Sequence, residues 1–261
     1  MLEFDMLDSY KGLGISQGLD RGLVAYKDGS LLVEEGMGFG AVAVQSGGYT
    51  YFSSVKSVKR ESGCFEVVCD IDKRLDWKVF GLRIKPLTKV LEHICTNIYM
   101  KREKNQCKLL EAGEILRRFF HVESCFVKVP SQGKVRILYG IAGNEVSVDL
   151  SCKMKMKGCR FFVMNELGAS IFDKGIVNGS ISAPPTGWQK MNGHCELYSS
   201  SHTIAFTISE SHVPDGVASK LYWGREMAKG YCWAGFESEI VCESKEFENY
   251  SYSIAFREVR L

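Results

Sequence analysis

What this sequence lacks rules out several classes of protein before any motif is considered. In 261 residues no apolar run approaches the ~20 needed for a membrane-spanning helix. The opening, MLEFDMLDSYKGLG, has neither a basic stretch nor an apolar one, so it does not resemble a secretory signal. The chain therefore reads as cytoplasmic. Without secretion, Asn178-Gly179-Ser180 and Asn249-Tyr250-Ser251 carry no weight as glycosylation acceptors. An excess of one charge is also missing. A net charge of +2 creates no field that would draw nucleic acid or an anionic membrane, and neither is expected as a partner. There is no long polar tract, and 45% of residues are hydrophobic, which argues against disorder and suffices for one large core or two modest ones.

Close cysteine pairs are absent too. Ten cysteines include no C-x-x-C, and the tightest spacings, Cys64/Cys69 and Cys152/Cys159, are not those of a zinc site. Cys69 alternates with Phe65, Val67 and Ile71 as on a strand, and Cys95 shares a helical face with Leu91 and Ile98. The cysteines read as reduced thiols acting as small hydrophobes. Five scattered histidines form no H-x-x-x-H or H-E-x-x-H. Neither a metal nor a cofactor is expected.

Two glycine motifs invite a functional reading and fail on context. Gly36, Gly38 and Gly40 in EEGMGFGAVAV look like a dinucleotide turn, which needs a strand before it and a helix opening at it. Here AVAVQSGGYTYFSS follows, a hairpin turning at Ser46-Gly47-Gly48. GLVAYKDGSLLVEE precedes, a hairpin turning at Asp28-Gly29. Glycines between two hairpins predict a bulge or a tight crossing. Gly14-Ile15-Ser16-Gln17-Gly18 matches G-x-S-x-G without the strand and helix of a nucleophile elbow.

The rest of the chain is dominated by period two. CFEVVCDI and LDWKVFGLRI are two strand candidates separated by Asp72-Lys73-Arg74. Val135, Ile137, Tyr139 and Ile141 face one way before a turn at Ala142-Gly143-Asn144. Val146, Val148, Leu150, Cys152, Met154 and Met156 then share a buried face, opposite a wet row that includes Lys153, Lys155 and Lys157. RFFVM, HCELY, TIAFTIS and YSYSIAF are further strands. Between the two β-rich regions, Leu87, Val90, Leu91, Ile94, Cys95 and Ile98 follow helical spacing, and Leu109, Ala112, Leu116, Phe119 and Phe120 suggest a second helix. With no repeat, linker or composition break, the reading is one domain over 1–261. It comprises β-rich 1–86, a helical connector 87–120 and β-rich 121–261, forming a mostly antiparallel β-sandwich.

Polar groups and large aromatics concentrate after residue 164. Asn165-Glu166 leads to Asp173, Ala183-Pro184-Pro185-Thr186-Gly187-Trp188 forms a rigid loop, and Tyr222-Trp223-Gly224-Arg225-Glu226 precedes Tyr231-Cys232-Trp233-Ala234-Gly235-Phe236-Glu237. Trp188, Trp223 and Trp233 each lie within two residues of a glycine, which lets a ligand approach backbone closely. Aromatic faces beside carboxylates and an arginine suit sugars, with their apolar C–H faces and rings of hydroxyls. The competing reading makes these tryptophans core residues and Arg225 half of a structural ion pair. His194 and His202 flank strands joined by Ser199-Ser200-Ser201, where one could serve as acid or base.

The hairpins GLVAYKDGSLLVEE and AVAVQSGGYTYF, with the long strand at NEVSVDLSCKMKMK, resemble the super-sandwich proteins grouped around galactose mutarotase. The resemblance implies sugar binding on a concave sheet and a histidine acid with a glutamate base. His194 and Glu226 are the residues here that would fill those places. Three functions then remain open: a sugar-directed enzyme of epimerase or lyase type, a non-catalytic carbohydrate-binding module, and a structural or interaction protein. For the first, Glu166, His194, Arg225 and Glu226 are the catalytic candidates, with Asn165, Asp173, Trp188, Trp223 and Trp233 contacting the sugar.

Overall fold

The computed structural model describes residues 1–6, 11, 17–83, 86, 89, 90, 119, 121–228 and 231–259. Strands β1 (Leu2–Asp5), β2 (Val24–Lys27) and β3 (Ser30–Leu31) make a small sheet in that order. The next strands are β4 (Gly38–Ser46), β5 (Tyr49–Glu61), β6 (Cys64–Val79), β7 (Leu82–Arg83) and β8 (Val122–Lys128). Then come β9 (Gly133–Ala142), β10 (Glu145–Met154), β11 (Cys159–Leu167), β12 (Lys174–Val177), β13 (Ser180–Ser182) and β14 (Gly187–Lys190). The last five are β15 (Cys195–Ser199), β16 (Ile204–His212), β17 (Val217–Ala228), β18 (Tyr231–Cys242) and β19 (Glu246–Glu258).

From β4 onward the strands join one antiparallel sheet of order β13-β12-β15-β16-β19-β10-β9-β6-β5-β4-β11-β18-β17-β14, with β7 and β8 attached to β6. This sheet curls upon itself. Phe206 of β16 and Phe236 of β18 are eight places apart in the order, yet their ring centroids are 5.2 Å apart. Phe206 also meets Phe39, Phe172 and Phe256, so aromatics from both arms form the centre of a sandwich. The two end strands, β13 and β14, are consecutive in sequence, joined by only Ala183-Pro184-Pro185-Thr186. The five steps from Ser182 to Gly187 span at most about 18 Å, which holds the two ends of the order close together.

The two hairpins turn where glycine chemistry allows. Asp28 and Gly29 both have positive φ, as do Gly47 and Gly48, giving two-residue turns whose twist matches the strands. At Gly40 (φ 77°) a Cβ would run into the Tyr139 hydroxyl, which donates to the Phe39 carbonyl at 2.8 Å. The glycines of EEGMGFG therefore serve a crossing: Leu23 bridges Phe39 beside a bulge in the β4–β11 pairing.

Some strand boundaries differ from the sequence reading. β6 runs unbroken through Asp72-Lys73-Arg74, because its polar residues find partners. Asp72 accepts from Ser54 Oγ and from Lys56 Nζ (3.0 Å), and Arg74 forks onto Asp76 at 2.7 and 2.9 Å. Its first half pairs with β9 and its second with β8. β10 ends at Met154, which leaves Met156 exposed, whereas Val146, Val148, Leu150, Cys152 and Met154 are buried as their alternation predicts. The eight described cysteines are free thiols. The helical connector at 87–120, with Cys95, lies outside the described residues except for Lys89, Val90 and Phe119, and so does most of the Gly14–Gly18 motif. Among the described residues no helix is long and apolar enough to cross a membrane.

Candidate functional site

Four neighbouring strands, β11, β18, β17 and β14, set the polar aromatic segments side by side. Their register places Glu166 opposite Gly235, Gly235 opposite Gly224, and Gly224 opposite Trp188. A side chain at Gly224 would meet the Gly187 carbonyl and one at Gly235 the Asn165 carbonyl, so only backbone fits there. The result is a lane of two glycines closely crowded by neighbouring backbone, with Trp188 at one end and Glu166 at the other, three strand spacings or about 14 Å apart. Glu226 pairs with Trp233 along one side, and Tyr222 pairs with Glu237 along the other. Trp188 stacks on Trp233 at 4.1 Å and 20°.

Alternation puts Glu166, Glu226, Glu237 and Glu239 on this face, opposite the one that carries Phe236 and Trp223 into the core. The face is itself largely shielded. Leu19 and Met37 pack over Ala41 and Met164, and the Met37 N–H donates to Glu166 Oε2 at 2.9 Å. Glu166, Glu237 and Glu239 are only 6%, 4% and 6% exposed.

Their partners divide them. Burial opposes the charge of Glu239, but Arg160 Nε at 2.6 Å and the Tyr222 hydroxyl at 2.9 Å outweigh it and hold the carboxyl below its ordinary range. Burial, reinforced by the charges of Glu166 and Glu239, pushes Glu237 up to about 8. Burial raises Glu166 to about 7, with the Met37 N–H and Arg21 pulling back and Glu226 adding to the rise. Burial raises Glu226 as well, and lifts the Tyr222 hydroxyl to about 12, helped by its bond to Glu239. Carboxyls that hold a proton near neutrality thus stand beside one that does not, the arrangement needed for a donor and an acceptor of protons. Among the described residues no three His, Cys, Asp or Glu converge as a metal ion would require.

Of the residues named from sequence, Glu166, Glu226, Trp188 and Trp233 share this face. Asn165 and Trp223 point the other way. The Asn165 amide oxygen accepts from Gly40 N at 3.1 Å and the Tyr252 hydroxyl at 2.9 Å, and Trp223 packs in the core against Gly175. Arg225 pairs with no carboxylate among the described residues; its Nε donates to the Ala169 carbonyl at 2.9 Å. Asp173 accepts from the backbone and hydroxyl of Ser200, bracing a turn. His194 bonds Glu196 at 3.1 Å, and Glu196 in turn holds Arg257 Nε at 2.8 Å. His202 contacts Ser199 and Ser201 at the far end of β15, so about 17 Å of strand separates the two histidines. Glu237, Glu239, Tyr222 and Arg160 are additions from the structure. The alternation of Trp233, Gly235, Glu237 and Glu239 with Ala234, Phe236, Ser238 and Ile240 is the signal that points to the two glutamates.

No family model and no curated protein matches the chain. Among solved structures it is similar to an α-mannosidase from Enterococcus faecalis V583 (TM-score 0.45, 7% identity), over 99% of this chain and 28% of that one. It is similar to a 4-α-glucanotransferase from Thermococcus litoralis (TM-score 0.36, 6% identity), over 85% of this chain and 27% of that one. The Slr1438 protein from Synechocystis sp. PCC 6803 matches over 96% of this chain and 91% of its own (TM-score 0.40, 6% identity). The chain thus spans little more than a quarter of the length of the two enzymes.

Proposed function

We propose that the lane between Trp188 and Glu166 binds a carbohydrate, and that Glu166, Glu226 and Glu237 exchange protons with it in an epimerase- or lyase-type reaction. The observation that carries this reading is the lane itself: two crowded glycines with stacked indoles at one end and protonatable carboxyls at the other. The apolar face of a sugar ring suits an indole, and its hydroxyls suit carboxyls that can both donate and accept. Glu237, raised to about 8, is the donor; Glu166, raised only to about 7 and two register positions away, is the acceptor. Glu239 stays ionised against Arg160 and helps keep the proton on Glu237. The likeness to galactose mutarotase belongs to the same reading, with a carboxyl pair in place of the histidine and glutamate.

A glycan array followed by titration of the best ligand tests the proposal. Trp188→Ala is expected to weaken binding at least about tenfold while the circular dichroism stays unchanged. Glu166→Gln is expected to stop incorporation of solvent deuterium at a sugar carbon while affinity changes by less than about threefold. Binding without any exchange in the wild type would move the chain to the binding-module reading. A Trp188→Ala variant that binds as well as wild type would remove the lane from consideration.

A further inference from the structure

Cys159 opens β11 and Cys242 closes β18, and the register sets the two directly opposite one another. Among the described cysteines no other two are strand partners. Directly opposed residues of an antiparallel pair send their side chains to the same face, with Cα atoms about 4.5–5.5 Å apart. A disulfide joins Cα atoms about 4.4–6.8 Å apart, so these two can be bridged without moving the backbone. Both side chains point into the core beside Phe161 and Ile240, and each is 1% exposed. Exposed residues adjoin each on its outer side, 155–158 before Cys159 and 243–246 after Cys242, so the pair sits where the core meets its surface. Cys152 on β10 is a third thiol in this region: burial pushes it up to about 12, and Cys242 and Cys159 are near enough to add to the rise.

We propose that Cys159 and Cys242 are a redox modification site, two thiols that close to a cross-strand disulfide when hydrogen peroxide reaches them and reopen with a thiol reductant. Filling the core would be met as well by alanine or valine, and does not call for two sulfurs in register. Nor do the thiols make a metal centre, since among the described residues no three His, Cys, Asp or Glu converge as an ion would require. Burial pushes the Cys159 thiol up, whereas Cys242 meets the Ser244 hydroxyl at 3.1 Å beside exposed chain, so Cys242 reacts first. Its sulfur attacks one peroxide oxygen, the O–O bond breaks, and the departing hydroxide takes the thiol proton as water, leaving a sulfenic acid. In the reduced form Cys159 donates to the Met156 carbonyl at 3.4 Å, a contact that rotation about its Cα–Cβ bond gives up. Its sulfur then attacks that of Cys242, the S–O bond breaks, and the hydroxide leaves with the Cys159 proton as a second water. The two thiols lose two electrons and two protons, and the peroxide gains both. The bond ties together the strands that carry Glu166 and Glu237, whatever the lane binds.

Peptide mapping without reductant tests this, after hydrogen peroxide treatment of the folded chain and alkylation of the remaining thiols. The Cys159 and Cys242 peptides are expected to appear joined, with an intact mass lower by about 2 Da, and dithiothreitol is expected to restore both thiols. Because the bond closes a long loop between β11 and β18, the oxidised protein should melt about 5 °C or more above the reduced one. Cys152→Ser should leave the linked peptide in place, and Cys242→Ser should remove it. The same treatment of the urea-unfolded chain should scatter the pairing over several cysteines. Folded wild type in which Cys159 and Cys242 stay open to alkylation, or advance unlinked to sulfinic acid, would overturn the site. So would a predominant linkage of Cys152 to either one, or an oxidised form that melts no higher than the reduced form. An identical linkage from the unfolded chain would mean that the register does not select it, and would overturn it as well.

Discussion

Glu237 and Glu239 are two residues apart on one strand, equally buried, and driven in opposite directions by their partners. The difference is Arg160, which faces Glu239 at 2.6 Å with the Tyr222 hydroxyl behind it. Arg160→Ala should therefore strand a buried charge and cost roughly 3–5 kcal/mol, measured by urea denaturation. A loss under about 1 kcal/mol would mean that the pair is effectively solvated. At this scale the sequence was readable as composition but not as direction. It placed Asn165 with Glu166, and Trp223 with Glu226, in one site. On a strand neighbours point to opposite faces, and residues an odd number apart cannot share one. Asn165 and Trp223 accordingly face the core while Glu166 and Glu226 face the lane. Which parity goes inward depends on the partner strand, and no local pattern states it.

The hairpins were legible because their turns carry their own chemistry: Asp28-Gly29 and Gly47-Gly48 adopt the backbone that glycine favours, flanked by clean alternation. Charged residues interrupt the apolar run of β6 and divide it in the sequence pattern; tertiary partners for Asp72 and Arg74 remove that objection. β17 and β18 do not show as strands in the sequence pattern for a related reason. Gly224, Gly235, Glu226 and Glu237 dilute the apolar signal on the face that forms the lane, so the functional surface hid the element that carries it. The β4 crossing yields its own test. Gly40→Ala combines a positive φ with a clash against the Tyr139 hydroxyl and displaces its bond to Phe39. The variant should lose about 2 kcal/mol or more, seen as a lower urea midpoint, and the added substitution Tyr139→Phe should recover part of that loss. No recovery would place the strain in the backbone alone.

For the whole molecule, protonation links stability to pH in two senses. Folded Glu166 and Glu237 keep protons that the unfolded chain releases above its ordinary value of about 4.5. Their contribution is fully present below that pH and is lost as pH rises through about 7 and about 8. Glu196, held down first by its bond to Arg257, and Glu239 act oppositely: their contribution is present above the ordinary carboxylate value and fades as pH falls through their lowered ones. Scanning calorimetry should therefore find the highest melting temperature at about pH 4.5–5, declining until about pH 8 and level above it. The double variant Glu166→Gln/Glu237→Gln should flatten the alkaline side; an unchanged decline would assign it elsewhere. The strand order that creates this cluster was beyond the sequence, since β4 pairs with β11, and β10 with β19, across long stretches of chain. Alternation reports a strand's two faces, not its neighbours.

The strap from Ala183 to Thr186 has a consequence for how copies of this chain meet. An open sheet invites recruitment, because any strand arriving at its margin finds unpaired backbone to bond. Here the outermost strands, β13 and β14, are only three and four residues long and are tethered to one another by a proline pair. An incoming strand would find a short template on either of these two strands, and the tether keeps the two from swinging apart to lengthen it. Concentrated protein should therefore resist strand addition at this seam. Cutting the chain between Pro185 and Trp188 would release that restraint while leaving every strand intact.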